Sequence, residues 1–332
     1  MTNSFRALVV NKQGKEFSVG IQQLTLDDLP KGEVLIRVCY SGVNYKDSLA
    51  AVPDGNIVRS YPFVPGIDLA GLVIASEDAR FKAGDQVIAT SYGIGVTHFG
   101  GYSEIARIPA DWIVPLPSGL SLKEAMIIGT AGFTAALSVQ RLEENQMEPG
   151  KGKVLVTGAT GGVGSFAVAI LSARGYIVEA STGKKTATDY LRAIGAATVI
   201  DRSDVYQGTI KALQRQKWAA AVDSVGGDPL AALLSQIQYG GSVAACGLTA
   251  GTQLRATVFP FILRGINLLG IDSAYCPMSV RQSIWRRLAG EFKPSHLENF
   301  IQNEVTLDQL PGALPTLLKG EARGRTLVKL NQ

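Results

Sequence analysis

Cysteine and histidine are scarce in this chain, three of the first and two of the second among 332 residues. Cys39, Cys246 and Cys276 are odd in number, far apart and without CxxC spacing, which argues against a disulfide framework and against a zinc knuckle. They read as core thiols. No apolar run reaches about 18 residues, and the opening "MTNSFRALVV" has neither a long apolar segment nor a cleavage site, so no membrane span and no leader are expected. Charge of one sign is lacking too. The net charge is +4, charged residues make up 18%, and no Lys/Arg block exceeds "WRRL" at Arg286 and Arg287, too little to argue for nucleic acid. The expectation is a soluble, cytoplasmic protein with neither nucleic acid nor membrane as partner.

What is present is apolar residue and glycine, 46% hydrophobic with 37 glycines, as in a Gly-rich α/β enzyme rather than a disordered chain. The length is about twice that of a typical domain, so two hydrophobic cores are expected. The first 120 or so residues hold short β-type runs between turn residues: "RALVV", "FSVGIQQL", "VLIRVCYS", "LAGLVIAS", "DQVIATS", "YSEIARI" and "WIVPLP". That spacing predicts a small antiparallel barrel or sandwich. The period turns helical at "SLKEAMIIGTAGFTAALSVQRLEEN", where Ser121 and Glu124 have the spacing of a capping box. Beyond it, strands such as "KVLVTGA", "YIVEAST", "ATVIDR", "AAAVDSVG" and "GSVAACGL" alternate with helical stretches, the pattern of βαβ units and a doubly wound parallel sheet. The tail from about Asp272 ends in "GRTLVKL", a strand expected to rejoin the β-rich domain.

Between the first of those strands and its helix, "VLVTGATGGVGSFAVAIL" places Gly158, Gly161, Gly162 and Gly164. Glycines there permit a tight turn and close approach of backbone to a pyrophosphate, while the helix N-terminus offers free N–H groups and positive dipole. Strand, loop, helix and the βαβ series together supply the context that a dinucleotide motif requires. The second strand ends "EASTGKK". Ser181, Thr182 and Lys184, joined by Arg202 at the end of the next strand, suit the extra phosphate of NADP. Glu179 argues the other way, because a carboxylate two residues further on would meet the ribose and favour NAD. Lys185 reads as a solvated charge.

Where "EVLIRV" ends, "CYSGVNYKDSLA" packs Asn44, Tyr45, Lys46 and Asp47 side by side. Three readings are open for them: a catalytic constellation, a dismantled metal site, or a solvated turn.

Barrel-type domain, glycine loop, inserted α/β domain and rejoining tail together resemble the medium-chain dehydrogenase/reductase superfamily over nearly the whole chain. In zinc alcohol dehydrogenases of that superfamily a cysteine ligand stands at the position of Asn44 and a histidine ligand at that of Ile67. Both ligands are missing here, and an isoleucine side chain, which has no lone pair, replaces neither a thiolate nor an imidazole. The four-cysteine structural zinc loop is missing as well. The chain therefore looks like the zinc-independent quinone oxidoreductase and enoyl reductase branch. "GVNYKDSLA", "PGIDLAG", "MIIGTAGFTAALSV", "TGATGGVGS", "AACGL", "PFILRG" and "GRTLVKL" are most similar to the bacterial acrylyl-CoA reductase group, whose members reduce acrylyl-CoA to propionyl-CoA with NADPH.

The resemblance implies an α/β protein with a GroES-like β-barrel catalytic domain over 1–123, a Rossmann nucleotide-binding domain over 124–271 and a segment 272–332 that returns to the first. It implies NADPH contacts at Tyr45, Thr160, Gly161, Gly162, Val163, Thr182, Gly183, Lys184, Arg202, Leu248, Ile262 and Ser273, with Thr130 and Thr134 toward the nicotinamide. No metal is implied. An enoyl-CoA or enone substrate and a homodimer follow by the same analogy. Hydride addition to a conjugated double bond leaves an enolate that needs hydrogen-bond donors and a proton. Tyr45 is the candidate proton donor, or else packs on the cofactor. Asn44 either donates to the thioester oxygen or caps the following helix. Asp47 is expected to tie down the turn, and His98 to be a hydrogen-bonding loop residue rather than an acid. For the phosphates of CoA the cations Arg264, Arg281, Arg286, Arg287 and Arg323 are available. A quinone reductase and a non-catalytic NADPH-binding protein remain the competing readings.

Overall fold

The computed structural model describes residues 4–320 and 322–330. The chain divides into two compact units: Met1–Thr130 with Ala274–Ala289 and Leu297–Gln332, and Ala131–Ser273 with Gly290–His296.

In the first unit β1 (Ser4–Gln13) and β2 (Glu16–Thr25) form an antiparallel hairpin, with Gly14 at φ +61° in the turn. A larger sheet joins β3 (Val34–Val43), β4 (Asp68–Ser76), β5 (Gln86–Thr90), β6 (Ile105–Ile108) and β7 (Ile113–Pro115). A short helix α1 (Tyr45–Ala50) follows β3 directly. Helix α2 (Leu122–Glu144) carries the expected capping box, with the Ser121 N–H donating to Glu124 Oε2 at 2.8 Å and the Glu124 N–H to Ser121 Oγ at 3.2 Å. Its helical geometry breaks at Gly129 (φ +50°, ψ −160°), and the division between the units falls one residue later rather than at the expected 123/124. By length and composition α2 would span a membrane, yet 78% of its apolar window is buried within the protein, as for a core helix.

The second unit is the doubly wound domain. Its strands β8 (Lys153–Val156), β9 (Ile177–Thr182), β10 (Thr198–Asp201), β11 (Trp218–Asp223), β12 (Ile237–Ala245) and β13 (Asn267–Gly270) pair in parallel in the order β10-β9-β8-β11-β12-β13. Connecting helices are α3 (Gly162–Ala173), α4 (Thr188–Ala193), α5 (Gly227–Leu234) and α6 (Phe259–Arg264). The order reverses between β8 and β11, which makes the carboxyl ends of those strands the topological switch point where ligands bind. α3 ends just before Gly175 and α4 just before Gly195, both at positive φ as their sequence positions predict.

Helix α7 (Met278–Leu288), β14 (Ile301–Thr306) and β15 (Arg325–Lys329) return to the first unit, where β15 pairs antiparallel with β3 and parallel with β14. Residues 290–296 group instead with the second unit. Glu291 accepts Arg174 Nη1 at 3.3 Å and the Phe292 ring lies under the same guanidinium.

Candidate functional site

The antiparallel register gathers polar groups at one end of the first unit's sheet. β3 ends at Val43, opposite Thr326 near the start of β15, while β4 begins at Asp68, opposite Thr90 at the end of β5. Asn44, Asp68, Ser91 and Arg325 therefore arrive together from four distant segments. The Arg325 guanidinium is their hub. Its Nη1 donates to Val43 O (3.1 Å) and Asn44 Oδ1 (2.9 Å), its Nε to Ile127 O (3.1 Å), and its Nη2 to Asp68 Oδ2 (3.4 Å). Glycine makes the room. A Cβ at Gly42 would lie 2.5 Å from Arg325 Nη2, and one at Gly129 would lie 2.5 Å from Asp68 Oδ2.

Asn44 precedes α1, and both hydrogens of its amide are committed, to Asp68 Oδ2 at 2.8 Å and Asp47 Oδ2 at 3.2 Å. Of the two roles open to it, the geometry favours helix-start and network duty, because no amide hydrogen remains for a substrate oxygen. Asp47 accepts the Asn44 N–H at 2.8 Å and the Ile67 N–H at 2.9 Å, which fixes the turn to the start of β4. Burial and the nearby Asp68 charge push its carboxyl up to about 6. Burial also drives the Tyr102 phenol well above its ordinary value and lowers that of Arg325, an effect that Asp68 and Asp47 partly offset. An arginine keeps its proton in proteins. Two buried carboxylates and one buried guanidinium thus hold the floor beneath Tyr45. That tyrosine opens α1, is 49% exposed, and its hydroxyl has no hydrogen-bond partner among the described residues. Lys46 beside it is exposed.

Thr130, just past the break at Gly129, donates its hydroxyl to Asp68 Oδ1 and its N–H to the same carboxylate at 3.0 Å, with Ser91 Oγ 3.1 Å from its oxygen. Ser91 and Tyr92 both sit at positive φ, +65° and +49°, a costly conformation for residues other than glycine.

In the second unit the loop after β8 is a backbone cradle. Gly158 turns at φ +58°, the Gly161 N–H donates to Gly158 O at 3.0 Å, and α3 begins at Gly162 with Val163 in its first turn. A Cβ at Gly164 would lie 2.4 Å from Gly158 O, so helix and loop pack at backbone contact. The first-turn N–H groups have no intrahelical acceptor and face the mouth of the loop with Thr160 beside them. A dinucleotide pyrophosphate fits this cradle.

The end of β9 answers the cofactor question posed by Glu179. That carboxylate points into the sheet's interior, accepting Trp218 Nε1 at 2.7 Å and Lys153 Nζ at 3.0 Å, and is unavailable to a ribose. Thr182 closes the strand and accepts the Lys184 N–H at 3.0 Å, and Arg202 Nε lies 3.1 Å from where a Gly183 Cβ would be. The Arg202 side chain thus lies against the strand end, one residue before Lys184. Lys185 is exposed, as a solvated charge would be. Elsewhere Thr134 donates to Ser273 Oγ at 2.8 Å, while Leu248 after β12 and Ile262 on α6 are held exposed.

Two of the cations expected for CoA are otherwise engaged. Arg264 is spent on Ser235 O (2.7 Å) and Gln214 O (2.6 Å). Arg281 is fully buried, donates to Thr90 Oγ1 at 2.9 Å and lies 4.4 Å from the Tyr92 ring centre. Arg286 and Arg323 are exposed and Arg287 half-buried. Both ring nitrogens of His98 lie 3.0 Å from backbone carbonyls, of Phe99 and of Lys31, so it fastens a loop. Cys246 is no nucleophile, since burial pushes its thiol up to about 12. Asp68, Tyr102 and Arg325 escaped the sequence reading although they form the network.

Comparison with known proteins agrees with this architecture. The alcohol dehydrogenase GroES-like domain family matches residues 30–118 and the zinc-binding dehydrogenase family residues 162–290. YhfP of Bacillus subtilis (strain 168), provisionally named a quinone oxidoreductase, is 58% identical over 99% of this chain and 100% of its own length. Its crystal structure with NAD bound superposes with a TM-score of 0.97. Acrylyl-CoA reductase AcuI of Ruegeria pomeroyi is 49% identical over 98% of this chain and 99% of its own. The yhdH oxidoreductase of Salmonella enterica, solved in complex with NADP, is 44% identical over 98% of this chain and 100% of its own, with a TM-score of 0.95. With both domains matched and relatives this similar along nearly the full length, the chain belongs to the medium-chain dehydrogenase/reductase family of oxidoreductases.

Proposed function

We propose that this protein reduces an activated carbon–carbon double bond with NADPH, acrylyl-CoA to propionyl-CoA being the reading best supported. The observation that carries the cofactor choice is the end of β9, where Glu179 is consumed by Trp218 and Lys153 while Arg202 lies against the backbone at Gly183. A 2′-phosphate would meet the cationic residues of this strand end, and the Glu179 carboxylate does not compete. The likeness to an acrylyl-CoA reductase along the whole chain supports the substrate.

When bound, the nicotinamide supplies a hydride to the β-carbon of the substrate. The chain's own residues do the rest. The loop 158–162 and the start of α3 hold the pyrophosphate, and Thr182, Gly183, Lys184 and Arg202 hold the adenosine phosphate. Thr130, Thr134, Leu248, Ile262 and Ser273 are assigned to the remaining cofactor contacts. Tyr45, with its unpartnered hydroxyl, is the group assigned to protonate the α-carbon or to hydrogen-bond the developing oxyanion. Asn44 aims it from below, through Asp47 and Asp68, and does not itself touch substrate.

The likeness to YhfP favours a second reading, a quinone or small-enone reductase in the same site. NADPH oxidation measured side by side with acrylyl-CoA, crotonyl-CoA and a quinone decides between them. Turnover of acrylyl-CoA is expected, and a strong quinone rate with none for acrylyl-CoA would sink the leading reading. Tight NADPH binding without turnover on any of them would point to a non-catalytic binding protein. A cytoplasmic location and a homodimer complete the proposal. β13 is the last strand of its sheet, and Val258, Ile262 and Leu263 on the neighbouring segment expose apolar side chains, an edge suited to a second copy. Sedimentation equilibrium is expected to give a dimer, and a monomer would refute it.

A further inference from the structure

At the switch point of the parallel sheet, one fully buried carboxylate ties together the loops that leave β8, β11 and β12. Asp223, the last residue of β11, accepts the Thr157 hydroxyl at 2.7 Å and the Gly226 N–H at 2.8 Å. Thr157 belongs to the loop after β8. Its Oγ1 in turn accepts the Ser224 N–H at 3.2 Å, and Ser224 Oγ donates back to Thr157 O at 3.0 Å. The third loop is tied through backbone, with the Cys246 N–H on Asp223 O and the Ala250 N–H on Val225 O, both at 2.8 Å. Gly226 and Gly227 turn at φ +70° and +58°, and a Cβ on Gly226 would lie 2.8 Å from Gly247 O. Loop 246–251, which carries the exposed Leu248, therefore rests on residues 225–227 with no space between them.

A carboxylate is an expensive way to build this junction, since burial disfavours its charged form and raises its pKa. It suits the position because hydroxyl and amide donors converge on it from two loops, and a carboxylate is the one side chain there that only accepts. An amide would turn a hydrogen toward one of those donors.

We propose that Asp223 is a positioning residue for the nicotinamide half of the cofactor, fixing loop 157–161 and loop 246–251 at a set separation. The assignment rests on the NADPH reading above. In a sheet of this order one half binds the adenine nucleoside and the other the nicotinamide nucleoside, and the adenine half here is β8, β9 and β10, ending in Thr182, Lys184 and Arg202. None of the bonds accepted by the Asp223 carboxylate reaches those three residues. Its loss should therefore be felt at one end of the cofactor only.

The experiment compares NADPH with adenosine 2′-monophosphate, a fragment that fills the adenine half without a phosphate in the glycine loop, by calorimetry on the full-length chain, with the thermal midpoint recorded in parallel. Asp223→Asn is expected to weaken NADPH about tenfold while adenosine 2′-monophosphate changes by less than about twofold. Thr157→Val, which removes the hydroxyl without changing the shape of the side chain, is expected to do the same, and the double variant to be no worse than either single one. Equal weakening of both ligands would mean general loosening and would overturn the assignment, as would unchanged NADPH affinity in a folded variant. If Asp223→Asn does not fold, Thr157→Val decides by the same two ligands. A wild-type chain that binds neither ligand would refute the NADPH reading itself, an outcome separate from a variant that binds both normally.

Discussion

Arg202 offers the sharpest test of cofactor choice, because its guanidinium lies against the backbone at Gly183 and forms no ion pair among the described residues. Asp201 beside it is occupied with the Ser203 N–H at 2.9 Å. A charge-assisted hydrogen bond to an ionised group is worth about 1.5–3 kcal/mol, so Arg202→Ala should raise the KM for NADPH by about 10- to 150-fold. NADH lacks the phosphate and should lose nothing, and kcat at saturating NADPH should hold, because the lost contact acts equally on ground and transition states. Gly183→Ala probes the same geometry without touching the charge. Its backbone is not at positive φ, but the added Cβ would lie 3.1 Å from Arg202 Cδ and Nε and would push the guanidinium aside. It should reproduce part of the Arg202 effect. The assay is initial rate against NADPH and NADH for each protein with one acceptor. Parallel rises in KM for both cofactors, or a wild-type preference for NADH, would refute the reasoning that the strand end reads the 2′-phosphate.

Other expectations concern the buried network. Asp47, whose carboxyl is raised to about 6, binds its proton more tightly folded than unfolded, so its contribution to stability falls as pH rises from about 4 to 6. The change amounts to about 3 kcal/mol, and Asp47→Asn, though less stable at low pH for want of an acceptor, should show a flatter pH dependence in urea unfolding between pH 4.5 and 7. An unchanged slope would place the titration elsewhere. Arg325→Met leaves two buried carboxylates without their cation and should cost about 3–5 kcal/mol, read as a lower urea midpoint. A variant of wild-type stability would show the hub to be dispensable. Tyr45→Phe should fold normally, since the ring is half exposed, and should lose about 100-fold or more in kcat if the hydroxyl is the acid. Wild-type turnover would remove that role.

The parts of the site that were legible in the sequence are those made by neighbours along the chain. The glycine loop states its own backbone demands within seven residues, and the capping box at Ser121 and Glu124 likewise needs only local spacing. Strand-end chemistry at Thr182, Gly183 and Lys184 was legible for the same reason, but Glu179 was ambiguous until the pairing of β9 and β8 showed Lys153 reaching it and Trp218 closing the other side. The network under Tyr45 was hidden by distance. Arg325 and Asp68 are 257 positions apart, and β15 is buried at four successive residues, so no alternation marks its arginine as inward. Arg281 is different, because a signal for it existed. Arg281, Ile284, Trp285 and Leu288 follow the i, i+3, i+4, i+7 rule of one helix face, and all four are buried. Periodicity thus places that arginine in the core, whereas charge alone had suggested the substrate cleft. A cation on an apolar stripe is better read by its position in the period than by its sign. The same rule leaves Arg286, one step off the stripe and exposed, as the cation of "WRRL" still open to a ligand.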